Sequence, residues 1–160
     1  MDKSNSDTLI FLDYWDNDNP SSDAQMGFIF AQMDNEEECG DLGEVYSNDF
    51  FYKKNPKDAI KEEISKHCPE WVIGLENSAT LLLPYHRQKK ILINPTVTVD
   101  DLNWVTPETI RDTYAFFSAK YEKDYEMYSR VYRNVAFYPA NRVLFISDVK
   151  APVEAILSKI

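Results

Sequence analysis

Cysteine and histidine each occur only twice in this chain, as Cys39, Cys68, His67 and His86. Two cysteines outside any CxxC pair make neither a disulfide framework nor a metal-ligand motif, so both read as buried or free thiols. Glycine is nearly as sparse, with 4 in 160 residues, while hydrophobic residues make up 44% and aromatic ones 14%. That balance excludes a low-complexity or disordered chain and suffices for one domain with its own core. No apolar run approaches the roughly 18 residues that a membrane span needs. Met1 to Ser6 also lacks the basic flank and apolar core of a secretion signal, so a cytoplasmic protein without a membrane partner is expected.

Positive charge is missing from one region in particular. From Met1 to Phe51, 13 acidic residues stand against a single basic one, Lys3; from Tyr52 onward, 14 acidic residues stand against 16 basic ones. The formal net charge of −10 therefore belongs to the first third of the chain. Such a surface disfavours nucleic-acid phosphate and anionic membranes. It suits a cation or a basic protein partner, or is simply a solvated surface.

Thr8 to Leu12 is a continuous apolar run that reads as a buried first strand ending at Asp13. Asp16, Asp18 and Asp23 alternate with other oxygen-bearing residues as in a calcium loop, but the required sixth-position glycine and closing glutamate are missing. An Asx-rich turn is the better reading. Ser21 to Met33 reads as a helix, with Met26, Phe28 or Ile29, Phe30 and Met33 as its core contacts. Glu44 to Tyr46 is a short edge strand. Asn55 caps a helix whose first position is Pro56, followed by Ala59, Ile60, Ile64 and Cys68 at helical spacing. His67 lies in its last turn and reads as surface structure, favoured there by the helix dipole.

Trp71 to Pro95 organises the rest: a strand over Trp71-Val72-Ile73-Gly74, a sharp turn through Leu75-Glu76-Asn77-Ser78, a short helix, and a second strand over Ile91-Leu92-Ile93-Asn94-Pro95. Thr106-Pro107 then caps a mostly helical segment over about 104–134. Along it Tyr114, Phe117, Tyr121, Tyr125, Tyr128 and Tyr132 form one helical stripe, read as core, a dimer surface or an aromatic groove. Arg142 to Asp148 reads as a further buried strand, and Ala151 to Ile160 as a closing helix. The expected fold is a single three-layer α/β domain over residues 1–160, with a mainly parallel sheet of about five strands in the order 2-1-3-4-5.

The strand–turn–helix–strand unit resembles the nucleophile elbow and following strand of the small YqiA-type α/β-hydrolase (esterase) family, in which G-x-S-x-G precedes a strand ending in Asn-Pro. Ile91 to Pro95 matches that strand, and Gly74 stands at the first glycine. Glu76, however, takes the place of the nucleophilic serine, and Ser78 that of the second glycine. The family's first strand ends in a His-Gly loop that helps build the oxyanion hole; Asp13-Tyr14 stands there, and a carboxylate would repel a developing oxyanion. Asp148 falls near the family's acid strand, but neither histidine follows it in the triad order. The resemblance thus implies a shortened α/β-hydrolase-like domain lacking the last strand and the histidine loop, with a degenerate active site.

Geometry adds a second expectation. In a 2-1-3-4-5 sheet, strands one and three meet at the topological switch point, so Asp13 and Glu76 converge there. Carboxylates that close must share a proton or hold a cation. With Asp16 nearby, Mg²⁺ or Ca²⁺ is the ligand to consider; no other cofactor is implied. Two functions follow. One is a non-catalytic interaction or regulatory protein using its acidic surface or cleft, with a basic protein or a second copy as partner and no nucleic acid. The other is a divergent hydrolase using Glu76, Asp13 and Asp148, with or without a divalent cation.

Overall fold

The computed structural model describes residues 7–14, 22–103 and 105–158, with 22–25 by backbone alone. In chain order the elements are β1 (Thr8–Phe11), α1 (Ser22–Cys39), β2 (Glu44–Tyr46), α2 (Asn48–Phe51), α3 (Pro56–His67), β3 (Trp71–Leu75), α4 (Asn77–Leu82) and β4 (Lys89–Ile93). There follow α5 (Pro107–Arg111), β5 (Thr113–Ser118), α6 (Glu122–Ser129), β6 (Val135–Tyr138) and α7 (Ile146–Leu157).

The strands form one sheet in the order β2-β1-β3-β4-β5-β6, every neighbouring pair parallel. Helices cover both faces, which is why β1 and β3 are apolar without alternation and buried throughout. Leu9, Val72, Leu92, Ala115 and Phe117 pack toward α2, α3, α4 and α6. Ile10, Ile73, Ile91, Ile93 and Phe116 point the other way, toward the end of α1 and the buried side of α7. Right-handed crossovers dictate this split. The chain moves one way from β1 to β2 through α1, then reverses to β3, so the later crossover helices fall on the opposite face. Among the described residues, no helix is long and apolar enough to cross a membrane.

Five sequence expectations need correction. The sheet has six strands, not five. The segment over 104–134 is interrupted by β5: α5 stops at Arg111, and Thr113-Tyr114-Ala115-Phe116-Phe117-Ser118 pairs with β4. Its aromatic residues repeat at intervals that also fit a helix, while their bulk suits a strand buried on both faces. A strand that the sequence reading did not place, β6, pairs with β5 by Ala115 with Val135 through Ser118 with Tyr138. Arg142 to Phe145 is loop, and α7 begins at Ile146 because the Asp148 carboxylate accepts from the Phe145 N–H at 2.7 Å. Lastly, α1 is inverted relative to expectation. Gln32 and Asn35 are buried, while Met26, Ile29, Phe30 and Met33 are exposed.

Candidate functional site

β1 and β3 are neighbours whose connections leave in opposite directions, so a crevice opens beyond their carboxyl ends. β3 enters it through a tight elbow. A Cβ on Gly74 would lie 2.8 Å from the backbone N and Cα of Ala79 and 2.7 Å from Leu82 Cδ1, so only glycine lets α4 fold back this closely. Glu76 sits at the apex with φ 55° and ψ −114°, a conformation that L residues rarely adopt. Such backbone strain costs about 1–3 kcal/mol and persists only where its surroundings enforce it. Here the Glu76 N–H donates to the Ile93 carbonyl at 2.8 Å, and the Glu76 carbonyl accepts from Thr80 N–H at 3.0 Å. Ser78, buried just past the apex, donates to the Leu12 carbonyl at 2.8 Å and ties α4 to β1.

Asp13 completes the elbow from the other strand. Its Oδ1 accepts from three N–H groups: the Tyr14 backbone at 2.9 Å, the Asn77 backbone at 3.3 Å and Asn77 Nδ2 at 2.9 Å. Burial, followed by the nearby Glu76 charge, pushes Asp13 up to about 7 despite those bonds. With Oδ1 occupied as an acceptor, the proton belongs on Oδ2. Gln32 of α1 donates to the Asp13 carbonyl at 2.6 Å while its own Oε1 accepts from Asn48 N–H at 3.1 Å. The end of β1, α1 and α2 are locked together by this one side chain.

Glu76 is held from the far side. Tyr121, just past β5, donates its hydroxyl to Glu76 Oε1 at 2.7 Å. Burial raises the Glu76 carboxyl, and the Tyr121 bond and the Lys120 ammonium act against that rise. The Tyr121 hydroxyl is itself pushed well above its ordinary range, by burial and then by the Glu76 charge, so it stays a donor. Two carboxyl groups, both raised by burial, thus share a cavity of about 300 Å³, walled by Phe28, Val143 and Phe145.

The structure therefore brings Asp13 and Glu76 together, as the sheet order implies. Asp148 is not part of the pair: Arg142 forks onto it at 2.8 and 2.9 Å, which first and foremost lowers its carboxyl, and it does not line the cavity. Asp16 lies outside the described residues. No group of three or more His, Cys, Asp or Glu side chains is placed to hold a metal among the described residues. His67 ends α3 beside Glu63, and exposed His86 precedes β4, so both stand at the amino ends of the strands, opposite the cleft.

The aromatic stripe dissolves into separate roles. Tyr114 and Phe117 lie on opposite faces of β5, Tyr114 near Trp71 with ring centroids 6.1 Å apart. Phe117, Tyr128 and Tyr132 are buried, the two tyrosines stacked at 4.3 Å, with Tyr125 packed beside them. Tyr121 alone reaches the site. Sequence reasoning also passed over Asn77, Gln32 and Lys120; reading β5 as a strand would have placed Lys120 and Tyr121 just past a carboxyl end. No family model matches the chain, and neither curated proteins nor solved structures give a match.

Proposed function

We propose that this protein is a non-catalytic member of the α/β-hydrolase-like architecture, an interaction or regulatory protein in which the elbow survives as structure. One observation carries the reading. In an elbow of this kind the oxyanion is stabilised by the N–H of the residue after the nucleophile and an N–H from the loop after a neighbouring strand. The equivalent donors, Asn77 N–H and Tyr14 N–H, both point at Asp13 Oδ1. A fixed carboxyl oxygen fills the place where a substrate oxygen would develop charge. The loop after β6 supports the same reading, since it offers Arg142, bound to Asp148, and no histidine. The parallel sheet and the glycine-dependent turn after β3 are compatible with the resemblance to the YqiA-type family.

A second reading, a divergent hydrolase, is favoured by the strained Glu76 backbone and by the meeting of two carboxyl groups, both raised by burial, in one cavity. In it the Glu76 carboxylate would attack an alkyl carbon, forming an ester as a halide leaves or an epoxide C–O bond opens, and Asp13 would take a proton from the water that then hydrolyses that ester. The two readings separate by mass spectrometry and turnover. Wild type and Glu76→Gln are incubated with p-nitrophenyl acetate, an alkyl halide and an epoxide. The non-catalytic protein shows no turnover and no covalent adduct that depends on Glu76. An ester adduct on Glu76, lost in Glu76→Gln, would establish the hydrolase instead.

A further inference from the structure

α1 carries its apolar residues on the wrong side for a helix that only packs on its own sheet. Its inward positions are Gln32, Asn35 and Cys39, at 7%, 6% and 0% exposure. Gln32 holds Asp13 and Asn48, and Asn35 Oδ1 accepts from Ile146 N–H at 2.8 Å, so specific polar bonds fix the helix in this rotation. Outward lie Met26, Ile29, Phe30 and Met33, at 51%, 43%, 60% and 62% exposure, spaced as one helical face. Glu36 and Glu37 continue that exposed face, and no ion pair reaches either among the described residues. Beside Ile29 and Met33 a groove of about 180 Å³ runs toward α2, with Glu36 and Asp49 among its walls.

We propose that the outer face of α1 is a docking surface for a basic amphipathic helix of another protein. Contiguous exposed apolar residues rimmed by charge mark interaction sites, and helix-in-groove recognition uses such anchors over two or three turns. Met26 to Glu37 spans about 16 Å at the helical rise. Apolar partner residues cover Met26, Ile29, Phe30 and Met33. A partner lysine or arginine lays its stem along Ile29 and Met33 and its charge against Glu36 and Asp49. Charge selects against a second copy of this chain. α1 contains Asp23, Asp34, Glu36, Glu37 and Glu38 and no basic residue, so a two-fold pairing centred on Ile29 and Phe30 would join two helices of like charge with no cation from either to offset it. The same charge opposes an anionic membrane. The inference stands whether or not the cleft is catalytic.

The test uses the full chain and two synthetic amphipathic helices of about 18 residues, long enough to hold helical structure on binding. One has leucine on one face and lysine on the other; its counterpart has glutamate in place of lysine. Fluorescence anisotropy should show the lysine helix binding at least about tenfold more tightly, with that preference falling steeply in 0.5 M salt. Phe30→Ser with Met33→Ser should abolish binding while melting as wild type does, since both side chains are exposed. Glu36→Lys should weaken the lysine helix and strengthen the glutamate one. Equal binding of the two helices, or binding unchanged in the serine variant, would overturn the proposal. So would self-association in sedimentation, or attachment to phosphatidylcholine vesicles, that the serine variant abolishes.

Discussion

Asn77 and Asp13, 64 residues apart in sequence, meet through two hydrogen bonds to one oxygen: the backbone and side-chain N–H groups of Asn77 both donate to Asp13 Oδ1, at 3.3 and 2.9 Å. The contact joins the ends of β1 and β3 and gives a carboxyl group an environment made for a carbonyl-like acceptor. Burial and then the Glu76 charge favour a neutral side chain there, against the pull of those bonds, and the consequences for stability follow from that.

Asp13→Asn keeps the accepting oxygen and removes the proton equilibrium. Because the folded-state pKa of Asp13 is raised to about 7, the native protein binds more protons than the unfolded chain between pH 4 and 7. Wild-type stability is therefore fully present below the unfolded carboxyl's value and lost as pH rises through about 7. Urea denaturation should show Asp13→Asn more stable than wild type at pH 8, by on the order of 2 kcal/mol after allowance for solvent screening, and nearly equal at pH 4.

Tyr121→Phe deletes the hydroxyl that donates to Glu76 at 2.7 Å. Without it the Glu76 carboxyl, already raised by burial, rises further, since the bond acts to lower it. Carboxyl-carbon NMR titration should place Glu76 at higher pH in the variant than in wild type. A stability loss of about 1.5–3 kcal/mol is expected where Glu76 is ionised, shrinking as pH falls and the carboxylate takes up a proton.

Gly74→Ala tests the elbow's geometry without touching its charge. The added methyl would meet Ala79 backbone atoms at 2.8 Å, so α4 must move off β3. Thermal or urea melts should register a loss of about 3 kcal/mol, at the upper end for overpacking, because backbone and not a flexible side-chain tip must yield.

Lys90 lies fully buried on β4 and donates its ammonium to the Tyr85 carbonyl. Burial pushes it down to about 8, with Asp112 acting weakly against that fall. The folded protein then binds fewer protons than the unfolded chain above that value, so stability rises with pH through this range. Lys90→Met should flatten the increase between pH 7.5 and 9.5 in denaturant melts.

The alternation of buried strands and capped helices was legible wherever one local signal dominated. Thr8 to Phe11 and Trp71 to Leu75 are apolar runs bounded by polar turns, and Asn55-Pro56 announces α3; all three stand where expected. The switch-point meeting of Asp13 and Glu76 followed from strand order alone. What failed had two competing signals. Thr113 to Ser118 offers both a helical repeat and a buried strand, and only pairing with β4 decides. Arg142 to Asp148 has the apolar content of a strand, yet the Asp148 bond to Phe145 N–H starts a helix there. The inversion of α1 was not legible, because the partners that hold Gln32 and Asn35 inward come from Asp13, Asn48 and Ile146, all distant or outside the helix.

The order β2-β1-β3-β4-β5-β6 also bears on how the chain is made. Among the described strands β1 leaves the ribosome first, and it is flanked in the finished sheet by strands beginning at Glu44 and Trp71. Every one of its partners must be synthesised and carried back across a helix before Leu9 to Phe11 is covered. Sheets assembled from such distant pairings close slowly and expose sticky segments in the interval. Like charges in the acidic first third oppose contact between nascent copies during that interval.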